Sequence, residues 1–335
     1  MDADPGQGGL ELISSRRNPL VGRLRALHQG RGRREQQRLL LEGTHLLQEV
    51  LRLGLRPDWL LATAPWMERH EALVAQLRQG ALHGPSPSGG DSALQLRVVS
   101  AEVLAAVATT EQPDGVVLTL PLDQLPQPRA WPAGNDQPGD SLGQVPPQAP
   151  FPSFVLALDR LQDPGNLGTL LRCALAAGVE EVWLAGGADP HQPKVLRASA
   201  GAALALPLRR LPALAPALAQ ATGQGSQVVA TVVAPVVASE VASVVPSEVS
   251  SEVAPVVAPG LKPGEVPAVR PYWELDWTQP TVVLLGNEGA GLDPALVALA
   301  SERVTIPHGA AVESLNVALA AAPLLLERWR QRLGG

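Results

Sequence analysis

Short apolar runs alternate with amphipathic stretches through the first third of the chain, and each run has about the length of one strand. In the stretch that begins at Thr44, a residue type typical of helix N-caps, apolar residues recur at i, i+3 and i+4. The predicted strands are residues 39–41, 59–62, 96–99 and 115–120, and the other predicted helices are residues 67–77 and 101–106. This alternation predicts a small α/β domain over residues 13–120.

The same alternation returns in the second half, where the apolar runs are nearly continuous, as in strands that are buried on both faces. The predicted strands are residues 154–158, 181–185, 227–231, 281–285 and 303–306, and the predicted helices are residues 168–177, 194–200 and 313–332. We expect a parallel sheet that is covered by helices on both faces, over residues 151–335. Pro323 lies inside the last helix and is expected to kink or restart it.

Three segments lack apolar periodicity. Residues 1–12 are predicted to be a disordered start, and residues 121–150, rich in Pro, Gln, Gly and Asp, a linker. Residues 233–271 carry an imperfect Val/Pro repeat in which the prolines remove donors from any strand ladder. A low-complexity insertion without a role is the favoured interpretation of this segment, and a contact segment for a partner is the alternative.

Composition limits the class of protein. A single cysteine, Cys173, excludes an intrachain disulfide and favours a reducing cytoplasm. No basic start followed by an apolar run opens the chain, and no run of about 18 apolar residues occurs, so neither a signal peptide nor a membrane span is expected.

Charge is distributed unevenly along the chain. The net charge is −6, yet residues 14–38 contain eight arginines and one glutamate. Such a local excess attracts phosphate, although many charge runs are only solvated helix faces. We favour RNA contact, with the predicted RNA-binding residues being Arg16, Arg17, Arg31, Arg33 and Arg34.

Three segments of the second domain each leave a predicted strand and enter a turn rich in Gly or Asn. Because ligands of α/β folds gather at the carboxyl ends of parallel strands, the three are candidates for one shared site. The first motif, DRLQDPGNLGTLLR at 159–172, contains Asn166, a helix cap or site residue, and Arg172, exposed or a bidentate phosphate clamp.

The second motif, LLGNEGAGL at 284–292, has glycines that permit close backbone approach to a ligand, and Glu288, a loop carboxylate or a group that orients a polar ligand. The third, IPHGAAVESLNV at 306–317, has Ser314 and Asn316 at the start of an apolar helix, where they either cap it or project into a site. The glycine spacing of the second motif does not fit a dinucleotide fingerprint, which weighs against a nicotinamide-dependent oxidoreductase.

Together and in this order, the three motifs resemble the SpoU class of RNA ribose methyltransferases, within the knotted SPOUT superfamily. The resemblance covers the second domain except the Val/Pro insertion, and residues 13–51 resemble the family's ribosomal-protein-like substrate-binding domain. It implies a deep C-terminal trefoil knot, a homodimer with the site near the subunit interface, and S-adenosylmethionine as cofactor. The implied reaction is methylation of a ribose 2′-hydroxyl in structured RNA, with ribosomal RNA favoured over transfer RNA.

The resemblance also implies roles for particular residues. Main-chain groups of the pocket-lining residues would hold the cofactor, and these are Gly286, Ile306 and Leu315. The catalytic set would be Asn166, Arg172, Glu288, Ser314 and Asn316. Two departures stand out: His308 occupies a position where Met is common in the family, and Pro323 interrupts a helix that usually packs in the dimer.

The implied mechanism needs alignment of a methyl group with the ribose oxygen and help with loss of its proton. Since a free arginine stays protonated, we expect Arg172 to position a phosphate and stabilise developing oxyanion charge, and we leave the proton acceptor open. No metal is implied. The alternative function is an RNA-binding or ribosome-assembly factor of the same fold that has lost catalysis.

Overall fold

A computed structural model describes residues 12–80, 94–130, 150–232, 267–309, 311–312 and 314–334. The chain divides into two compact units. The N-terminal unit comprises the chain up to Pro126 together with Asp189–Ala205, and the C-terminal unit comprises Gln127–Ala188 and the chain from Leu206 onward. The predicted disordered start, linker and low-complexity insertion lie mostly outside the described residues.

The first part of the chain forms a five-stranded mixed sheet with helices. Its elements are β1 (Leu12–Ile13), α1 (Pro19–Ala26), α2 (Gly30–Gln36), β2 (Arg38–Glu42), α3 (Thr44–Arg52), β3 (Trp59–Ala62), α4 (Ala64–Arg69), α5 (Glu71–Gly80), β4 (Gln95–Val99), α6 (Ala101–Val107) and β5 (Val116–Pro121). The strand order is β1-β4-β3-β5-β2. β4 is parallel to β1 and β3, whereas β5 is antiparallel to β3 and β2.

One face of this sheet carries the N-terminal core, because α1 and α6 turn their buried leucines and valines onto it. Two local predictions were wrong. The predicted helix at 67–77 is two helices, α4 and α5, which meet at His70. Thr44 does not cap α3: Gly43 is the cap residue, with φ +97°, and the main-chain N–H of Thr44 donates instead to Asp114 (2.7 Å).

The second part of the chain forms a seven-stranded sheet with helices. Its elements are β6 (Phe154–Asp159), α7 (Pro164–Ala176), β7 (Glu181–Ala185), α8 (Pro193–Ala198), α9 (Ala202–Ala205), β8 (Leu208–Leu211), α10 (Ala215–Gly223), β9 (Gln227–Thr231), β10 (Val269–Pro271), β11 (Thr281–Leu285), α11 (Pro294–Val297), β12 (Glu302–Thr305) and α12 (Val317–Gly334). α8 and α9 belong to the N-terminal unit.

All neighbouring strands of the seven-stranded sheet run parallel, in the order β10-β12-β9-β11-β6-β7-β8. Every residue of β6, β7 and β11 is buried, which explains why these strands are nearly continuous apolar runs. The predicted α/β architecture, a parallel sheet joined to a smaller α/β domain, is confirmed. In the sheet, β7 lies on one side of β6 and β11 lies on the other side of β6. The order of the strands therefore reverses beside β6.

The C-terminal helix differs from its prediction at its start. α12 begins at Val317 rather than at residue 313, and it does not restart at Pro323, which lies inside it. It packs against α7. No helix in the parts of the chain described above combines the length and apolar character needed to cross a membrane.

A buried arginine anchors α12 to the sheet. Arg328 is 2% exposed, and its guanidinium donates to the carbonyls of Trp277 (2.7 Å), Gln279 and Ser153 (3.2 Å). It also lies 4.7 Å from the ring centre of Phe154. Burial lowers the pKa of Arg328 to about 10. The helix that carries Asn316 at its start is therefore held at its far end by polar contacts with the loops beside β6 and β11.

Candidate active site

A cavity of about 610 Å³ opens at the carboxyl ends of the adjacent strands β12, β9 and β11 in the C-terminal unit. All three sequence motifs contribute to its wall. The predicted site residues that line it are Asn166, Gly286, Glu288, Ile306, Ser314, Leu315 and Asn316. Its volume is in the range typical of small-molecule sites.

The second motif forms a closed loop after β11. The main-chain groups of Asn287 and Gly291 bond to each other (2.9 and 3.0 Å), and the Asn287 side chain accepts from two further loop N–H groups. A Cβ atom at Gly286 would lie 2.3 Å from the carbonyl carbon of Gly291. Gly286 is therefore required by the packing of the loop, in addition to any contact with a ligand.

Glu288 connects the second motif to the first. Its carboxylate accepts from the main-chain N–H groups of Gln162 (3.1 Å) and Asp163 (2.9 Å) and from the side-chain amide of Asn166 (3.3 Å). Burial acts to raise the pKa of Glu288, but these donors outweigh it, so the pKa lies below its ordinary value. The carboxylate is thus held in its charged form at the cavity wall.

Asn316 connects the third motif to the first. Its Nδ2 donates to Oδ1 of Asn166 (2.9 Å), while its own Oδ1 accepts from the N–H groups of Ala318 (2.9 Å) and Leu319 (3.3 Å). Asn316 is therefore both the N-cap of α12 and a side chain of the site. The two roles that the sequence left as alternatives coexist, because an amide offers a donor and an acceptor.

Asn166 does not cap its helix. Asp163 is the N-cap of α7 and accepts from the main-chain N–H of Asn166 (2.7 Å). With the cap supplied by Asp163, both ends of the Asn166 amide face the other two motifs. Glu288, Asn166 and Asn316 consequently form one hydrogen-bonded series through the three motifs, which are far apart in the sequence.

Thr231, Val232 and Asn287 are among the lining residues that were not singled out from the sequence. Thr231 ends β9, and its hydroxyl donates to the carbonyl of Leu284 (3.0 Å). Asn287 donates from its side chain to the carbonyl of Arg160 (2.9 Å), and Val232 follows Thr231 in the wall. Asn287 could have been predicted as a site residue, because it is a polar side chain within the glycine-rich second motif. For Thr231, the sequence offered only its position at the end of a predicted strand.

Arg172 is placed apart from the other predicted catalytic residues. It is exposed on α7, six residues and roughly 9 Å along the helix axis from Asn166, and it does not line the cavity. His308 does line the cavity, where its Nδ1 donates to the carbonyl of Ile306 (2.7 Å).

The predicted RNA-binding arginines fall into two groups. Arg33 is 5% exposed, and its guanidinium donates to the carbonyls of Leu27 (2.8 Å) and His28 (2.9 Å) and pairs with Asp189 (2.6 Å). It is used inside the N-terminal unit, because the turn that follows α1 leaves carbonyls that need donors. The exposed arginines of the predicted set are Arg16, Arg17, Arg31 and Arg34.

The charge of the cavity limits its ligands. Among the described residues that line it, Glu288 is the one Asp, Glu, Lys or Arg side chain. A wall with a carboxylate and without lysine or arginine suits a ligand that carries positive charge and suits a dinucleotide pyrophosphate poorly. Within the described residues, no group of three or more His, Cys, Asp or Glu side chains could hold a metal ion.

Comparison with protein families agrees with this arrangement. Residues 153–326 match the SpoU rRNA Methylase family, and residues 18–118 match the MRM3-like substrate binding domain. The chain belongs to the SpoU rRNA methylase family. The predicted family is thereby confirmed, and so is the predicted class of enzyme, an RNA methyltransferase.

Individual relatives resemble nearly the whole chain. An uncharacterised tRNA/rRNA methyltransferase of Synechocystis is 39% identical over 98% of this chain and 97% of its own length. The 23S rRNA (guanosine(2553)-2′-O)-methyltransferase of Bacillus subtilis is 27% identical over 94% of this chain and 98% of its own. The AdoMet-bound crystal structure of an rRNA methyltransferase from Sinorhizobium meliloti covers 96% of this chain and 98% of its own, with 25% identity and a TM-score of 0.64.

Proposed function

We propose that this protein transfers the methyl group of S-adenosylmethionine to a ribose 2′-hydroxyl of ribosomal RNA. The observation that carries the proposal is the hydrogen-bonded series Glu288–Asn166–Asn316, which joins three distant motifs around one cavity. The named activity of the Bacillus subtilis relative and the ligand of the Sinorhizobium meliloti structure support the same reaction.

The residues present fit S-adenosylmethionine. The cavity has the volume of a small-molecule site, and its described lining residues include the carboxylate of Glu288 and no lysine or arginine, which suits a positively charged sulfonium. Main-chain groups of Gly286, Ile306 and Leu315 would hold the cofactor; Leu315 lies in the non-helical segment before α12. When bound, the cofactor supplies an electrophilic methyl group.

The side chains of the site then act by orientation. Asn166 and Asn316 present amide groups at the cavity, and Glu288 and Ser314 complete its polar edge. Alignment of reacting groups lowers a barrier by roughly 7–11 kcal/mol. Arg172, exposed on α7 and outside the cavity wall, binds an RNA phosphate and so positions the ribose.

The RNA itself is held by the N-terminal domain over residues 13–120, which we assign as the substrate-binding domain ahead of the linker at 121–150 and the catalytic domain at 151–335. The exposed arginines that contact phosphates in this proposal are Arg16, Arg17, Arg31 and Arg34. Binding should therefore weaken steeply with salt, since each neutralised phosphate releases counterions.

A homodimer belongs to the same proposal. Leu319, Leu326 and Leu333 recur every seven residues on α12 and are 68%, 45% and 77% exposed, and Trp329 between them is 45% exposed. An exposed apolar stripe of this kind favours a protein contact. Leu326→Glu should convert a dimer to a monomer in light scattering; an unchanged mass would contradict this contact. We further propose that the protein acts in the cytoplasm and that its C-terminal domain is knotted.

The proposed function is tested by mapping 2′-O-methyl groups in ribosomal RNA from cells with and without the gene, and by measuring transfer from labelled S-adenosylmethionine. Arg172→Ala should lose most of the activity, whereas Arg332→Ala, an exposed arginine on α12, should retain it. Titration with S-adenosylmethionine separates the alternative: a catalytically inactive assembly factor has no need to bind the donor. The proposal would be refuted if the protein bound no S-adenosylmethionine and if ribosomal RNA carried the same 2′-O-methyl groups in cells with and without the gene.

A further inference from the structure

A second, smaller cavity lies within the N-terminal unit, where α1 and the start of β2 meet the sheet. It has a volume of about 120 Å³, with Leu20, Leu24 and Trp59 in its apolar part and Arg23 and Arg38 at its polar side. The described lining residues include no carboxylate. The space equals roughly four water molecules, which is room for one planar ring and not for a helix or an extended peptide.

Guanidinium groups and an indole ring are layered beside this cavity. The guanidinium carbons of Arg23 and Arg97 lie 5.6 and 5.5 Å from the ring centre of Trp59. Arg97 is fixed by its own bonds to the carbonyl of Leu96 (2.9 Å) and to Gln95 (3.0 Å), whereas Arg23 is exposed. The layer therefore has one anchored cation, a half-buried indole and one cation that faces solvent.

The charge around the layer is predominantly positive. Arg38 pairs with Asp58, whereas no carboxylate in the described part of the chain pairs with Arg23 or Arg97. Arg23 and Arg38 both belong to the arginine-rich segment at residues 14–38. A ligand that combines a flat ring with adjacent negative charge matches an apolar floor, a stacking layer and a cationic edge.

We propose that this cavity receives one unpaired nucleobase of the RNA, stacked against the Arg23–Trp59 layer, with its neighbouring phosphate at Arg23 and Arg38. Unpaired bases are recognised on aromatic and guanidinium planes, because every base has a stacking face. The inference rests on the proposed function for its RNA substrate and adds a place in the N-terminal unit where single-stranded RNA is bound.

The test measures binding of the full chain to three fluorescent RNA hairpins: one fully paired, one with a bulged uridine and one with a bulged abasic residue. The wild-type protein should bind the bulged uridine roughly 5- to 150-fold more tightly than the bulged abasic residue. Arg23→Gln should remove most of this preference. Arg25→Gln, which deletes the same charge from the same helix outside the cavity, should keep it.

Trp59→Leu provides a second variant, which should also lose the preference. If it fails to fold, as judged by thermal unfolding, Arg23→Gln still decides the question because Arg23 is exposed. Equal wild-type affinity for the uridine and abasic bulges, or equal loss in Arg23→Gln and Arg25→Gln, would overturn the base site. Methylation of ribosomal RNA is measured in parallel: wild-type methylation without a base preference refutes this inference alone, and absence of methylation counts against the proposed function.

Discussion

Asn316 performs two tasks that one substitution can separate. Its Oδ1 caps α12 through the N–H groups of Ala318 and Leu319, and its Nδ2 donates to Asn166 in the site. Asn316→Ala removes both. Asn316→Asp retains the cap, since a carboxylate is an equally good N-cap and is favoured at the positive end of a helix, but it removes the donor.

The magnitudes follow from these contacts. Loss of an N-cap costs roughly 0.5–2 kcal/mol, and loss of a neutral hydrogen bond about 1 kcal/mol. In Asn316→Asp, a carboxylate faces Oδ1 of Asn166. The Asn166 amide then either keeps its oxygen against the new carboxylate, which is another acceptor, or it reverses and directs its oxygen at Glu288. The contact with Glu288 is a hydrogen bond to a charged group, worth about 1.5–3 kcal/mol. Its loss corresponds to roughly a 10- to 150-fold fall in methyl transfer.

Urea unfolding and transfer of labelled methyl groups to ribosomal RNA measure the two effects. Asn316→Asp should lose activity, and its free energy of unfolding should fall through the site contacts alone, because the cap contribution of roughly 0.5–2 kcal/mol is retained. Asn316→Ala should lose both stability and activity. The reasoning is refuted if Asn316→Asp stays fully active.

Three further outcomes follow from the structure. Arg328→Met should lower the free energy of unfolding in urea by about 3–5 kcal/mol, because buried carbonyls lose a charged donor. Arg332→Met, exposed on the same helix, should lower it by less than about 1 kcal/mol, and similar losses in the two variants would contradict this. Gly286→Ala places a Cβ 2.3 Å from the backbone and should weaken S-adenosylmethionine binding, measured by calorimetry, roughly 5- to 150-fold. In Gly309→Ala the added Cβ has no atom within 4 Å, so this control variant should bind S-adenosylmethionine normally. The lowered pKa of Glu288 means that its stabilising contribution is complete above the ordinary carboxyl pKa and is lost as pH falls through the folded value. Glu288→Gln should therefore lower the urea midpoint equally at about pH 8 and pH 5, and less near pH 3.5; a loss that shrinks between pH 8 and pH 5 would argue against it.

The buried strands could be predicted from the sequence because their own residues decide them. The predicted bounds of β3, β7, β9 and β11 agree with the structure, since each is a short apolar run that only a two-sided core accommodates. β8 was missed because Arg209 and Arg210 interrupt its apolar pattern, and Arg209 instead pairs with the buried Glu181 (2.5 Å). An edge strand has a solvent side, so its composition is weakly constrained.

The polar residues of the site show where sequence reasoning ends. The sequence by itself determined which residue types leave each strand, and therefore the family and the three motifs. Only the tertiary structure decided that Asp163 caps α7 and leaves Asn166 for the site, and that Arg33 is buried while its neighbours are exposed. The physical reason is that apolar periodicity is a local property of the chain, whereas the partner of a hydrogen-bonding group is set by residues that folding brings from far away in the sequence.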